Sequence, residues 1–180
     1  MEGRRGGAVL TLPAHGGERR LDPEAAGDHI DTLFRVAVAM SGSRDLAEDL
    51  VQQTYVKVLS KPRLLRRDDD LGYLIKALRN TWYSHLRRER TRREATDPGV
   101  EPEELAAPGA AGDPVASLEA TAVLDALAQL PQPYREAVAA VDIAGLSYAE
   151  AARALGVRQG TIMSRLYRGR EQVAEAVGAG

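Results

Sequence analysis

The sequence contains no cysteine. The chain can therefore form neither a disulfide framework nor a thiolate metal site. Its three histidines, His15, His29 and His85, lack the close spacing that a zinc site needs. A phosphate-binding loop and a nucleophile elbow are also missing. We predict that the protein is not an enzyme and uses no metal, no cofactor and no small-molecule substrate.

Long apolar runs are missing as well. Arg4 and Arg5 precede an apolar stretch that is too short for a signal peptide and is interrupted by Thr11, Pro13 and Gly16. No segment approaches the roughly 20 apolar residues of a membrane span. We expect a soluble cytoplasmic protein without membrane insertion.

Strand patterns are scarce, since the chain has one Phe, few β-branched runs and no strict alternation of apolar and polar residues. Helical periodicity is common instead, and it predicts helices over about 24–40, 45–60 and 71–91, with a second helical block that follows from about 115 to 177. Gly42 and Ser43 mark the first boundary and Pro62 the second, while Asp45 with Glu48 has the pattern of a capping box. The predicted fold class is all-α.

The net charge of −2 hides two segments of opposite charge. From Lys61 to Arg93 there are 11 basic and 4 acidic residues, whereas Glu94 to Asp125 holds 8 acidic and no basic residues. The acidic segment is rich in Pro, Gly and Ala and buries too little apolar area to offset its chain entropy. We therefore divide the chain into a disordered N-terminal arm (1–21), a helical domain (22–93), a flexible acidic linker (94–116) and a second helical domain (117–180).

Residues 145–170 have the pattern of a helix-turn-helix. Ser147 and Glu150 predict a capping box, and Gly156 is placed to end the first helix at positive φ. The second helix has an inward stripe of Ile162, Leu166, Gly169 and Val173. On its other side lie Thr161, Ser164, Arg165 and Arg168, with Tyr167 at the edge and Arg158 just before the helix. This surface suits a DNA major groove, although a small helical hairpin with a solvated charged face fits the pattern too.

The helix predicted from about Gly72 has a second candidate surface. Its apolar face consists of Leu74, Ala77, Leu78, Thr81 and His85, with Trp82 near it as a core residue. Its opposite face consists of Lys76, Arg79, Asn80, Tyr83, Arg87 and Arg90, with Tyr73 at the border. Cations follow a phosphate chain and aromatic rings stack on unpaired bases, so this face suits single-stranded nucleic acid. A solvated basic face is the alternative.

The helix predicted over 45–60 leaves a less charged surface exposed. The helical period predicts a buried stripe of Leu46, Ala47, Leu50, Val51, Thr54 and Val58, and it leaves Asp49, Gln52, Gln53 and Val56 along the opposite side. Amides, one acid and one exposed valine suit a protein partner, and they are equally compatible with a merely solvated face.

Three segments together resemble bacterial sigma factors of the extracytoplasmic-function (ECF) group of the sigma-70 superfamily. They are Ala47–Tyr55, Tyr73–Asn80 and Leu130–Arg170, and they occur in the family's order on either side of an acidic linker. The resemblance covers about residues 25–93 and 117–175. It implies that the first helical domain is sigma region 2 and that the second is sigma region 4.

The resemblance also implies partners and site residues. The first domain would bind RNA polymerase core and melt the minus-ten element of promoter DNA, and the second would recognise the minus-thirty-five element. The implied polymerase contact consists of Asp49, Gln52, Gln53 and Thr54. The implied minus-ten site consists of Arg66, Arg67, Tyr73, Lys76, Arg79, Asn80, Tyr83 and Arg87. The implied minus-thirty-five site consists of Arg158, Thr161, Met163, Ser164, Arg165, Tyr167 and Arg168. An anti-sigma factor is a further implied partner, and any redox sensing would reside there, since this chain has no cysteine.

Three positions depart from the family pattern. Tyr73 replaces a usual Trp, Ser84 a common Asp, and Met163 a usual Lys or Arg in the recognition helix. The alternative function is a dimeric helix-turn-helix transcriptional regulator that reads paired half-sites. That function would leave the basic and aromatic helix at 72–90 without a role, and a stable dimer that binds palindromic DNA would favour it.

Overall fold

Eight α-helices are seen in the computed structural model, which describes residues 19–61, 64–65, 69–96 and 118–178. They are α1 (Pro23–Gly27), α2 (Ile30–Ser41), α3 (Arg44–Ser60), α4 (Asp70–Thr96), α5 (Leu118–Gln129), α6 (Gln132–Val138), α7 (Tyr148–Leu155) and α8 (Gln159–Gly178). Helix α6 continues into a short π-helical segment, Ala139–Ile143. The predicted all-α class is confirmed. One addition is a two-residue antiparallel pairing of Arg19–Arg20 (β1) with Leu64–Leu65 (β2). Most of the predicted arm and linker, together with Arg66 and Arg67, lies outside the described residues.

The single helix predicted over 24–40 is wrong, because the structure has two helices there. Asp22 caps α1, its carboxylate accepting a hydrogen bond from the Glu24 N–H at 3.0 Å, and α2 begins only after His29, which leaves the helical backbone at φ −99° and ψ 0°. Helix α1 docks on α3 through the Tyr55 hydroxyl, which donates to the Ala26 carbonyl at 2.6 Å. Apolar spacing continues through the break, so periodicity alone does not reveal it.

The capping box predicted at Asp45 and Glu48 is also wrong. Ser43 caps α3 instead, its hydroxyl accepting from the Leu46 N–H at 3.3 Å. Gly42 ends α2 at φ 68°, a left-handed conformation that favours glycine. Asp45 therefore lies within the first turn, where its negative charge complements the helix dipole.

Helices α1–α4 form the first unit and α5–α8 form the second. Leu33, Leu50 and Leu74 are buried in the first unit, and Ile162 and Leu166 are buried in the second. All five belong to one continuous hydrophobic core, because α2 packs against α5, α6 and the π-helical segment while α4 packs against α7. The two units predicted from the sequence thus lie against each other in this structure.

Arg135 on α6 forms buried hydrogen bonds across the junction of the two units. Its guanidinium donates to the carbonyls of Ala128 at 2.6 Å and Leu130 at 2.8 Å in its own unit, and to that of Met40 at 3.0 Å at the end of α2. The side chain is 5% exposed, and burial lowers the pKa of Arg135 while the adjacent Glu136 carboxylate opposes that shift. Carbonyl dipoles replace the hydration of its two terminal nitrogens, whereas its buried Nε has no hydrogen-bond partner among the described residues.

Candidate nucleic-acid and polymerase interfaces

The predicted helix-turn-helix is confirmed in detail. Ser147 and Glu150 form a complete capping box at the start of α7: the Ser147 N–H donates to the Glu150 carboxylate at 2.8 Å, and the Glu150 N–H donates to the Ser147 hydroxyl at 3.3 Å. Hydrogen bonds from Ser147 lower the pKa of Glu150. Gly156 ends α7 at φ 69°, and α8 begins three residues later. Local hydrogen bonds and a left-handed glycine therefore set where α7 begins and ends.

Helix α8 is seated by its inward stripe. Ile162 and Leu166 are fully buried, and Gly169 faces α6. A Cβ at Gly169 would lie 2.8 Å from Val138 Cγ2 and 3.5 Å from the Tyr134 carbonyl oxygen. Glycine at this position thus permits the close packing of α8 on α6 that fixes the direction of the outward face.

The outward face of α8 carries most of the predicted minus-thirty-five residues. Tyr167 is 67% exposed and Met163 53% exposed. Arg158, Ser164 and Arg168 are exposed, while Thr161 and Arg165 are half-buried. Within the part of the chain that the structure describes, the three arginines of this set make no side-chain hydrogen bond or ion pair. By contrast, Arg170 forms a bidentate ion pair with the Asp142 carboxylate, so its guanidinium is already engaged within the protein.

Helix α4 presents the second predicted surface. Lys76, Asn80, Tyr83 and Arg87 are exposed, and Tyr73 and Arg79 are half-buried. Five residues line a concavity of about 550 Å³ on this face: Arg79, Asn80, Tyr83, Ser84 and Arg87. On the apolar side of the helix Leu74, Leu78 and Thr81 are buried as predicted, whereas Ala77 and His85 are half-buried. The ring of the buried Trp82 stacks on His85 at a centroid distance of 5.6 Å. Cations, a phenol ring and an amide thus share one accessible groove.

Glu136, which the sequence did not suggest, reaches this groove from α6. Its carboxylate accepts from Arg79 Nε at 2.8 Å, and the Arg79 guanidinium lies 4.7 Å from the centroid of the Tyr83 ring. Burial lowers the pKa of Arg79, but the bond and charge of Glu136 outweigh it, so the pKa is raised. Burial and then Glu136 raise the pKa of the Tyr83 phenol. Two predicted minus-ten residues are therefore engaged by the second unit.

A second ion pair joins the units at the start of α4. Arg153 on α7 contacts Asp69 at 3.2 Å, and the other oxygen of that carboxylate accepts from the Gly72 N–H at 2.9 Å. The two partners are 84 residues apart in the chain. Nothing in the local pattern of either segment signals such a contact.

The surface predicted on α3 is mostly exposed. Asp49 and Gln52 are exposed, and Gln53 is half-buried, with its amide oxygen accepting from Arg88 at 3.3 Å. Val56 is 63% exposed, as the pattern predicted, and Leu59 is 41% exposed beyond it. These residues form a polar stripe with an apolar end.

Thr54 must be removed from that surface. Its side chain is buried, and its hydroxyl donates to the Leu50 carbonyl at 2.7 Å within the same helix. The family motif runs through Thr54, but helical geometry turns this position toward the core. The prediction that its side chain contacts the polymerase is therefore wrong.

Two family models match the chain in the order of the two units. The Sigma-70 region 2 model matches residues 26–92, and the Sigma-70 region 4 model matches residues 120–173. The ECF RNA polymerase sigma factor EcfG of Rhodopseudomonas palustris is 34% identical over 81% of this chain and 78% of its own length. The chain belongs to the ECF RNA polymerase sigma factor family. Another relative, the ECF sigma factor SigE of Mycolicibacterium smegmatis, is also 34% identical, over 84% of this chain, which spans 60% of that protein.

A solved structure of the same family supports the fold of this ECF sigma factor. The sigma factor RpoE of Bartonella quintana, in complex with the anti-sigma factor NepR, superposes with a TM-score of 0.67 at 30% identity. The match covers 86% of this chain and 95% of that one. The family that both models describe is one of transcription initiation factors, which are not enzymes. In the described ranges, no helix has the length and apolar character that crossing a membrane requires.

Proposed function

We propose that this chain is a dissociable promoter-specificity subunit that binds RNA polymerase core in the cytoplasm and directs it to promoter DNA. The observation that carries the proposal is the presence of two different nucleic-acid surfaces on one sigma-family chain. The α4 surface suits unpaired bases, and the α8 surface suits a duplex groove. A promoter that is read as duplex upstream and opened downstream requires both.

The α4 surface would hold the melted minus-ten strand. Tyr83 and the half-buried Tyr73 offer rings for stacking, which contributes about 1–3 kcal/mol per base. Removing a base from the duplex costs a few kcal/mol, so one or two stacked bases offset that cost. Lys76 and Arg87 are exposed along the same face and would follow the phosphates. Arg66 and Arg67 stay predictions for the same strand.

The α8 surface would enter the major groove of the minus-thirty-five element. Arg158, Arg165 and Arg168 provide phosphate contacts that orient the helix, and Ser164 and Tyr167 lie between them. Phosphate contacts set affinity at every sequence, whereas base contacts set the choice of sequence. This division predicts which substitutions change specificity and which only weaken binding.

The α3 stripe would form the polymerase contact. Asp49, Gln52 and Val56 are exposed and share one side of the helix, with Leu59 one turn further on. Exposed apolar side chains beside amides fit a protein interface better than a nucleic acid, since they offer little to phosphates. Gln53 would contribute at the edge of the stripe.

We infer that an anti-sigma protein also binds this chain. The Bartonella quintana sigma factor was solved in complex with such a protein, and the packed arrangement of the two units in this chain supports the same kind of control. Affinity purification of the tagged chain from cells of its source should recover polymerase core and one further binding protein. Recovery of the polymerase in every growth condition, without an inhibitor, would count against this partner.

The function is tested by run-off transcription with polymerase core and a randomised promoter library. Selected promoters should share two elements separated by a fixed spacer, because both surfaces belong to one chain. Val56→Asp should abolish core binding, whereas Val177→Asp, a matched change at an exposed valine on α8, should not. A purified chain that dimerises and binds palindromic duplex without polymerase would instead support the transcriptional regulator.

A further inference from the structure

Met163 and Tyr167 make an apolar edge on the outward face of α8. They are four residues apart, which places them one above the other on the helix surface. More than half of each side chain is exposed, at 53% and 67%. A Cβ at Gly160, one turn before Ser164, would meet no atom within 4 Å, so the first turn of α8 leaves open space beside this edge.

The groups beside this edge supply the charge and the hydrogen bonding that the edge itself lacks. Ser164 donates its hydroxyl to the Thr161 carbonyl at 3.0 Å, so its oxygen can serve only as an acceptor while that bond is made. Arg158 and Arg168 are exposed and supply the charge that phosphates need. A thioether has no charge and no proton to donate, and its sulfur is only a weak acceptor, so Met163 contributes little to phosphate binding or to hydrogen bonds with base edges.

A major groove offers one apolar group, the C5-methyl of thymine. We propose that Met163 recognises a thymine methyl in the minus-thirty-five element. The inference rests on the proposed function and makes it specific. It assigns sequence choice to Met163 at one base pair and leaves phosphate binding to the arginines.

The expected effect is small but well defined. Burial of one methyl group corresponds to about a fourfold change in affinity. Replacing that thymine with deoxyuridine, which lacks only the methyl, should therefore weaken promoter use by the wild-type holoenzyme about fourfold. Met163→Ala should bind the thymine and deoxyuridine promoters equally. Met163→Lys should lose the preference and steepen the salt dependence by about one phosphate contact.

The experiment uses the full chain with polymerase core on its selected promoter, with deoxyuridine substituted at each thymine of the minus-thirty-five element in turn. Val177→Ala truncates another exposed apolar side chain of α8 and should keep the wild-type preference. Because Met163 is exposed, its substitution leaves the core intact, and thermal unfolding checks this for each variant.

The outcomes separate the two proposals. If no promoter is transcribed, the proposed function fails and the inference falls with it. If transcription depends on the minus-thirty-five element but no thymine responds to deoxyuridine, the function stands and the thymine contact is overturned. If one thymine responds equally in wild type and Met163→Ala, another side chain recognises it and the assignment to Met163 is wrong.

Discussion

The α4 and α8 surfaces have similar chemistry but different surroundings. Each combines cations with an exposed tyrosine, yet Arg79 on α4 is paired with Glu136, whereas Arg158, Arg165 and Arg168 near and on α8 have no such partner among the described residues. The packing of the two units therefore occupies part of the surface suited to single strands and leaves the surface suited to duplex open.

The occupied surface is held by a carboxylate that is costly to bury alone. Glu136 is 2% exposed, and its charge is compensated by Arg79 at 2.8 Å and by the Gln132 amide at 3.2 Å. A phosphate that binds Arg79 would remove the main partner of this carboxylate. Binding of single strands and the packed arrangement consequently compete for Arg79, and a ligand that prefers the separated units shifts the equilibrium toward them.

The largest change should follow from removing the buried cation of Arg135. Arg135→Met keeps the apolar stem but leaves three carbonyls without their donor, so we expect the free energy of unfolding to fall by about 3 kcal/mol. Urea unfolding measures this loss. The two units should also separate in the folded fraction, because Met40 lies in the first unit and its carbonyl loses the link to α6.

Spin labels report that separation directly. The chain has no native cysteine, so labels at Val56→Cys and Gln172→Cys give a single distance, which should broaden and lengthen in Arg135→Met. Arg168→Met, the same change on the open surface of α8, should leave both stability and distance unaltered. An unchanged distance in Arg135→Met would show that the apolar core alone holds the units together.

A smaller change should follow from Glu136→Gln, which weakens the hold on Arg79 while keeping the size of the side chain. A hydrogen-bonded ion pair with a buried carboxylate contributes about 2 kcal/mol, which corresponds to roughly thirtyfold in affinity. Binding of a labelled single-stranded minus-ten oligonucleotide should therefore tighten by about that factor, while duplex binding by α8 stays the same. Glu175→Gln removes the same charge from an exposed site on α8. If this variant bound the oligonucleotide more tightly by the same factor, the change in net charge alone would explain the result.

The local features of α7 and α8 were predictable from the sequence because their partners lie within one helical turn. The capping box of Ser147 with Glu150, the left-handed Gly156 and the inward Leu166 all depend on spacings of three or four residues. The buried Thr54 illustrates the limit of motif transfer. A motif names the residues of a segment, but only the helix geometry decides which of them face outward.

Contacts between the units were not predictable from the sequence. Glu136 and Arg79 are 57 residues apart, and each stands in a segment whose pattern is explained by its own helix. The break between α1 and α2 was missed for a related reason, since apolar spacing continues across it and the turn at His29 carries no Pro and no capping side chain. Long-range pairs and irregular turns depend on tertiary packing, which a local sequence pattern does not reveal.

The smallest expected effect concerns the cap of α7, which lies in the second unit, away from Glu136. Ser147→Ala should cost about 1 kcal/mol in free energy of unfolding at neutral pH. The pKa of Glu150 is lower in the folded state than in the unfolded chain. Its ionised carboxylate therefore stabilises the fold at any pH above the pKa that Glu150 has when unfolded, and this stabilisation is lost as the pH falls through the pKa that it has when folded. The difference in free energy of unfolding between wild type and Glu150→Gln, measured by urea unfolding, should accordingly shrink as the solution is acidified from neutral pH.

Neither variant should change binding of the single-stranded oligonucleotide, since the cap touches no residue of the α4 groove. If either variant did tighten that binding, the open and occupied surfaces would be coupled through α7 and its Arg153–Asp69 contact, and the contrast between them would not be independent.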